Sequence, residues 1–553
     1  MRRILVILLI VVLALSILVA CDDGPSTHQH TNIIDDAVAP TCTSTGLTAG
    51  AHCSDCGEIL VEQQVLPVTE DHSFVNNVCE ICGEINYSEG LAYTVIDSET
   101  CYISGIGSCT DLDIKIPEYI DGYKVTSIGN DAFYNRRNLM SIEIPDSVTS
   151  IGSRAFSGCS SLTSIEIPDS VTSIGGGAFY ECRHLTSIVI PDGVTIIDDG
   201  MFKWCGSLTN VKLPDSVTSI GDGVFCGCGD LTNIVIPDSV TSIGGHAFYN
   251  CDSLTSIVIP NSVTSIGEST FENCVRLTSV VVGNSVTSIG DEAFDGCHKL
   301  TSVYITHIEA WLNIDFGYAS NPCCNGAALY LNNEKLMDLV IPDSVTSIGE
   351  WAFDGCNSIE SVIIPNSVTS ICNYAFYDCS GLTSIVISDS ITSIGDSAFS
   401  GCSSLTSIEI PDGVTSIGEA AFIDCRRLMR VYITDIEAWI NIDFVSTHSN
   451  PCYYGADLYL NNEKLIDLVI PDSVTSIGNN AFSGCSSLTS VVIPDSVRRI
   501  GNCAFYNCSS LTSIIFEGTM EQWNAISKYS YWNSGTGSYI IHCTDGDIAK
   551  ANS

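Results

Sequence analysis

From Leu185 the chain runs Leu-Thr-Ser-Ile-Val-Ile, and the apolar residues 188 and 190 alternate as in a strand with one buried face. Pro191 has no N–H with which to continue the pairing, and Asp192-Gly193 turns the chain. Val194 and Ile197 then point back to the same core, and the glycine that ends VTSIG, such as Gly175, permits a bend. Ala178, Phe179 and Cys182 belong to a short helical or extended stretch that closes the coil. The whole phrase, IPDSVTSIG…AF…C…LTSI, returns every 23 residues: Phe133, Phe156 and so on to Phe294, then Phe353 to Phe422, then Phe482 and Phe505. A fixed period in the low twenties predicts a solenoid, in which one repeat is one turn and only stacking makes a core. Its strands should stack in parallel, ~4.8 Å apart.

The beat breaks twice, in the same way. Phe294 to Phe353 and Phe422 to Phe482 each hold VYIT, IEAW, NIDF, NPC and LYLNNEKL before the regular phrase returns. Ile515 to Trp523 repeats the first part, as do Val303 to Trp311 and Val431 to Trp439. This predicts one enlarged coil used three times, with a short helix around each Trp. In the internal copies, near 303–341 and 431–470, a hairpin turning at Asn-Asn returns the chain to the stack. The third copy makes 517–553 a C-terminal cap on a solenoid spanning 87–516.

The N-terminus differs. Arg2 and Arg3 precede an apolar run to Ala20, the layout of a secretory signal over 1–20. Leu18-Val19-Ala20-Cys21 resembles a bacterial lipobox, whose Cys becomes lipid-modified and N-terminal after cleavage. An uncleaved anchor is the alternative. The polar, turn-rich stretch 21–41 reads as a tether. In 42–86, Cys53-Ser-Asp-Cys56 and Cys79-Glu-Ile-Cys82 are each followed by glycine, a spacing close to that of four-thiolate zinc ribbons. One structural zinc or two to three disulfides would satisfy this pattern.

Thirteen cysteines, from Cys159 to Cys508, follow the repeat Phe by three. They read as buried thiols acting as small apolar residues rather than as a metal array or chained disulfides. The stacked Asp residues of the PDS turn, such as Asp146 and Asp169, read as a solvated face; a calcium ladder is the alternative. This pattern resembles the BspA-like leucine-rich repeat family of bacterial surface proteins over roughly 90 to 545. The resemblance implies a curved or gently twisted leucine-rich repeat solenoid and an adhesin-like protein that binds host matrix proteins or other cells.

Composition narrows the function classes. With 64 acidic against 21 basic residues the formal charge is -43, which argues against nucleic acid and against electrostatic docking on anionic membrane. No GxSxG, HExxH or P-loop occurs, so an enzyme is not expected. The informative positions lie between the two core residues of each strand: Val189, Val235, Val258, Val281, Tyr304, Ile363, Val386 and Tyr432. They form an apolar stripe beside a stripe of Ser, such as Ser187 and Ser256. Strand propensity alone favours β-branched residues there, but a long exposed apolar stripe usually marks a contact surface. The expected function is a lipid-anchored, extracytoplasmic binding protein of a bacterial envelope. A structural envelope protein without a ligand and an envelope enzyme of unknown chemistry are the rival readings.

Overall fold

A computed structural model describes residues 31–41, 44–55, 57–68, 74–75, 78–79, 81 and 87–549. The signal segment, Cys21, Cys42, Cys56 and Cys82 lie outside the described residues. The chain divides into two compact units, Met1–Ser88 with Pro117–Gly122, and Glu89–Ile116 with Tyr123–Ser553.

In the first unit short antiparallel strands pair. Asn32–Asp35 lies against Gly50–Cys53, which in turn pairs Ile59–Val61. Asn32–Asp35 falls inside the stretch read as a tether, so the folded unit starts earlier than the composition implied. Across this pair Asp35 Oδ1 is 2.9 Å from His52 Nδ1 on the neighbouring strand.

The second unit is the solenoid, and most coils carry two strands rather than one. The first column stacks Ser256–Val258, Ser279–Val281 and Ser302–Ile305 in parallel, in register. The second stacks Ser242–Ile243, Ser265–Ile266 and Ser288–Ile289. This second column is the Ser-Ile of VTSIG, which the sequence shows only as a return to the core. Its ladder is just two residues long, yet neighbours extend it. Thr264 gives both its N–H, at 2.8 Å, and its hydroxyl, at 3.2 Å, to the carbonyl of Thr241 one coil back. A third row of bonds runs through the Ala-Phe turn, as in Phe225 N–H to Ala247 O at 2.7 Å.

Between these rows the repeat phenylalanines stack in three runs, Phe133 to Phe294, Phe353 to Phe422, and Phe482 with Phe505. Phe133 and Phe156 have ring centroids 5.4 Å apart and planes within 1°, and Phe271 and Phe294 are 5.1 Å apart. These spacings suit offset rings, and the rings are fully buried. The turn that aims each Phe inward needs a left-handed residue two before it and two after it. His246 (φ 55) and Asn250 (φ 56) flank Phe248, and glycine takes the role at Gly177 (φ 63).

The ladder cysteines do more than fill space. Cys251 Sγ donates to the carbonyl of Phe225, 3.2 Å away, and the same bond recurs from Cys159 to Phe133 and from Cys508 to Phe482. The ladder thiols are free and buried, as read from the sequence, and their S–H also serves a buried carbonyl of the preceding coil. Burial pushes the Cys205 and Cys297 thiols up to about 12, so they stay protonated donors. Cys356 and Cys485 are the exceptions, since their thiols meet those of Cys323 and Cys452.

The enlarged modules carry helices α1 (Ile308–Leu312) and α2 (Ile436–Ile440), and the C-terminal cap carries α3 (Met520–Ala525). Trp311 and Trp439 are buried and pack on Phe316 and Phe444. Their indole N–H groups donate to Ala352 O at 2.9 Å and Ala481 O at 2.8 Å. In a regular coil that carbonyl would accept a Phe N–H from the turn before. The buried Asn of NPC shares the substitution: Asn321 Nδ2 reaches Ala352 O at 3.0 Å and Asn450 Nδ2 reaches Ala481 O at 3.0 Å. Side-chain amides therefore stand in for backbone, and the array continues across the break. The hairpin of Ala328–Leu331 with Glu334–Lys335 turns at Asn332 (φ 52) and Asn333 (φ 67).

Hairpins cover both ends. Ala92–Val95 pairs Thr100–Gly105, which heads the second column beside Tyr123–Ile128. In the first strand of the other column, Ile114 is buried and Leu112 is exposed. At the far end Ile540–Cys543 turns back into Gly546–Ala549. No helix among the described residues is long and apolar enough to cross a membrane.

Candidate functional site

Along the first column, residues alternate strictly between core and solvent. Ile257 is buried while its neighbours Ser256 and Val258 are exposed, because successive side chains of a strand leave on opposite faces. In-register pairing then places like positions side by side. Val258, Val281, Tyr304 and Tyr330 form one continuous row, as do Val340, Ile363 and Val386. Tyr432 pairs Tyr459, and Val469, Val492 and Ile515 follow.

All eight residues singled out from the sequence reach solvent. Val235 is 77% exposed, Val189 60%, Val386 59%, Val258 57% and Ile363 48%. Val281, Tyr304 and Tyr432 are half-buried. For the two tyrosines the cover is a neighbouring ring: Tyr304 lies 4.9 Å from Tyr330 and Tyr432 lies 5.1 Å from Tyr459. Sequence reasoning did not include Tyr330 and Tyr459. Their place in LYL, after the interruption, hid that they extend the same row.

Charge enters the face only at intervals. Lys115 and Glu143 pair across adjacent strands at 3.7 Å near its N-terminal end. Lys212 sits beside Val189, and Glu409 beside Tyr432. A groove of about 440 Å³ opens there, lined by Lys115, Glu143, Glu166 and Asp146. A larger groove, about 760 Å³, runs over the second column, lined by Ser150, Ser173, Gly152 and Asn130. Over the apolar row the surface is a ribbon of side chains set by strand spacing. That form suits a broad macromolecular contact rather than engulfment of a small ligand.

The candidate metal ligands lie in the first unit. Cys53 ends the strand Gly50–Cys53 and is buried; Cys79 ends Val78–Cys79 and is buried. After Cys53 the chain turns back sharply: Gly57 N–H donates to Cys53 O at 2.9 Å, with Gly57 at φ 75. Cys56 and Cys82 themselves lie outside the described residues. Among the described residues no group of three His, Cys, Asp or Glu is placed to hold a metal ion.

Parallel in-register coils around stacked Phe rings, with Thr and Cys ladders, define a leucine-rich repeat solenoid. Within that class, the model of the BspA type leucine-rich repeat region matches residues 126–251, 218–314, 326–446 and 454–543, and the chain belongs to this family. A leucine-rich repeat protein from Bacteroides ovatus is 27% identical, over 74% of this chain and 94% of that chain, with a TM-score of 0.44. A leucine-rich cell surface protein from Faecalibacterium prausnitzii is 28% identical, over 79% and 96%, with a TM-score of 0.37. No curated protein matches.

Proposed function

We propose that the chain is a surface-displayed, adhesin-like protein that binds extracellular proteins or other cells through its outward strand face. The observation that carries this reading is the row Val258, Val281, Tyr304 and Tyr330, side chains held at the surface by a parallel ladder, with Val235 exposed one coil before. Membership of the BspA-type family supports a binding role over catalysis. An acidic chain with a preset apolar ribbon gains from desolvating that ribbon against a partner, while its charge disfavours nucleic acid. A lipid on Cys21 would hold the chain at the outer face of a bacterial membrane. Four thiolates from Cys53, Cys56, Cys79 and Cys82 would hold one structural zinc with no open position for chemistry.

The test is a binding screen of the purified protein against matrix proteins and glycans, repeated with Val235→Glu plus Val258→Glu. Placing two carboxylates in the contact should weaken binding by about 2–5 kcal/mol, while Asp238→Ala on the turn face should leave it unchanged. A folded double mutant with full affinity would move the contact off this face. The anchor is tested by Cys21→Ala, which should lose lipid labelling; equal labelling would refute it.

A further inference from the structure

Beside the first enlarged module the turn face carries a cluster of aromatic rings. The left-handed position two before the repeat Phe takes residues of many kinds, such as Arg154, Gly177, His246 and Glu292, and in two successive coils it is held by Trp351 and Tyr374, each at φ 57. Their rings stack at 4.0 Å with planes 3° apart. Tyr318, from the enlarged coil, meets Trp351 edge-on at 5.7 Å, and Tyr377 meets both rings edge-on at 5.9 and 5.8 Å.

Beside these rings sits Asp354, 5% exposed. Among the described residues no hydrogen-bond donor or cation meets its carboxyl, and its charged neighbour is another acid, Asp378. A buried carboxylate ordinarily has a counter-ion. The second module, built to the same plan, holds Asn480 and Ser483 where the first holds Trp351 and Asp354. Asn480 there is spent on the scaffold, giving its side-chain N–H to Phe444 O at 2.9 Å. The coil geometry therefore does not need the aromatic and the acid.

We propose that Tyr318, Trp351, Tyr374 and Tyr377, with Asp354 and Asp378, form a receptor for an arginine or lysine side chain of a bound protein. The cation would take up the missing counter-charge at Asp354, and its alkyl stem would lie along rings whose π-electrons attract it. The proposal rests on the reading of the chain as a protein binder, and names a second contact away from the strand face. A neutral saccharide would use the rings but leave the acid unpaired, so the cation is favoured.

The test uses the full chain and the blocked peptide acetyl-Gly-Arg-Gly-Arg-Gly-amide, titrated by calorimetry at low salt, with the Gln-for-Arg peptide as control. The expected result is saturable binding of the Arg peptide only, weakened at least tenfold by Asp354→Asn and by Tyr318→Ala. Tyr318 is 60% exposed, so its variant reads the site even if Asp354→Asn perturbs folding, which a thermal melt would reveal. Val235→Glu plus Val258→Glu should leave peptide binding intact, which separates this site from the strand-face contact. Equal binding of the Gln peptide, no saturable binding, or undiminished binding in a folded Asp354→Asn variant would each overturn the proposal. Binding of a neutral oligosaccharide lost in Tyr318→Ala, without Arg-peptide binding, would reassign the rings to glycans.

Discussion

The two internal enlarged modules share a skeleton and differ on their surface. Both bury a Trp whose N–H meets the carbonyl before the next Phe, at 2.9 Å from Trp311 and 2.8 Å from Trp439. Both bury the Asn of NPC under the same turn, and both return through an Asn-Asn hairpin. Yet the first presents Tyr318 and Trp351 above a buried Asp354, while the second presents His448 against Tyr453 at 4.3 Å, over neutral Asn480 and Ser483. The contrast separates two pressures. Residues that complete the backbone ladder are repeated without change, and residues that meet solvent diverge.

If the skeletons are equivalent, removing either indole should cost the same. Trp311→Ala and Trp439→Ala should each destabilise their neighbourhood by about 3–5 kcal/mol, through a lost ring and an orphaned carbonyl. Local hydrogen exchange at each module reads this, and a gap between the two sites of more than about 2 kcal/mol would break the comparison.

The next effect belongs to the first module alone. Burial, and then the charge of Asp378, raise the Asp354 carboxyl to about 7. The folded form thus holds this proton more tightly than the unfolded chain, so stability there falls as pH rises from about 4 to 7. The loss should be on the order of 2–4 kcal/mol. Protection of the first module measured at pH 5 and pH 8 should show it, and Asp354→Asn should abolish it. A matching loss at the second module would point to a cause other than Asp354.

Smaller effects sharpen the picture. Asn321→Ala and Asn450→Ala should each cost about 1–3 kcal/mol, since both leave buried carbonyls short of a donor. Of the two internal helices only α2 has a side-chain N-cap, with Asp435 accepting from Glu437 N–H at 2.8 Å, whereas His307 at the start of α1 caps nothing. Asp435→Ala should therefore cost about 1 kcal/mol and His307→Ala almost nothing, measured by the same exchange.

Much of this was legible in the sequence, for a reason particular to solenoids. A stack that must match itself imposes its register on the text, so the Phe spacing alone located the ring stack, and the Trp spacing located the enlarged coils. Alternation in the LTSIVI strand identified the outward residues one by one. The second strand column was not legible, because Ser-Ile offers too short an alternation to stand out. Nor was the S–H bond from most of the ladder Cys residues to a Phe carbonyl 26 residues earlier, which depends on the lateral offset between coils. The burial of Asp354 was hidden too. It depends on what neighbouring coils bring to that turn, and no local pattern announces it.

The central claim is that the outward face of the first strand column meets the partner. Hydrogen exchange of the chain with and without a partner found in the binding screen tests it most directly. The account predicts protection confined to the first column, over Ser256–Val258, Ser279–Val281 and Ser302–Ile305, together with the turn around Trp351 when the partner is basic. Protection of the second column instead, over Ser242–Ile243 and Ser265–Ile266, would contradict it.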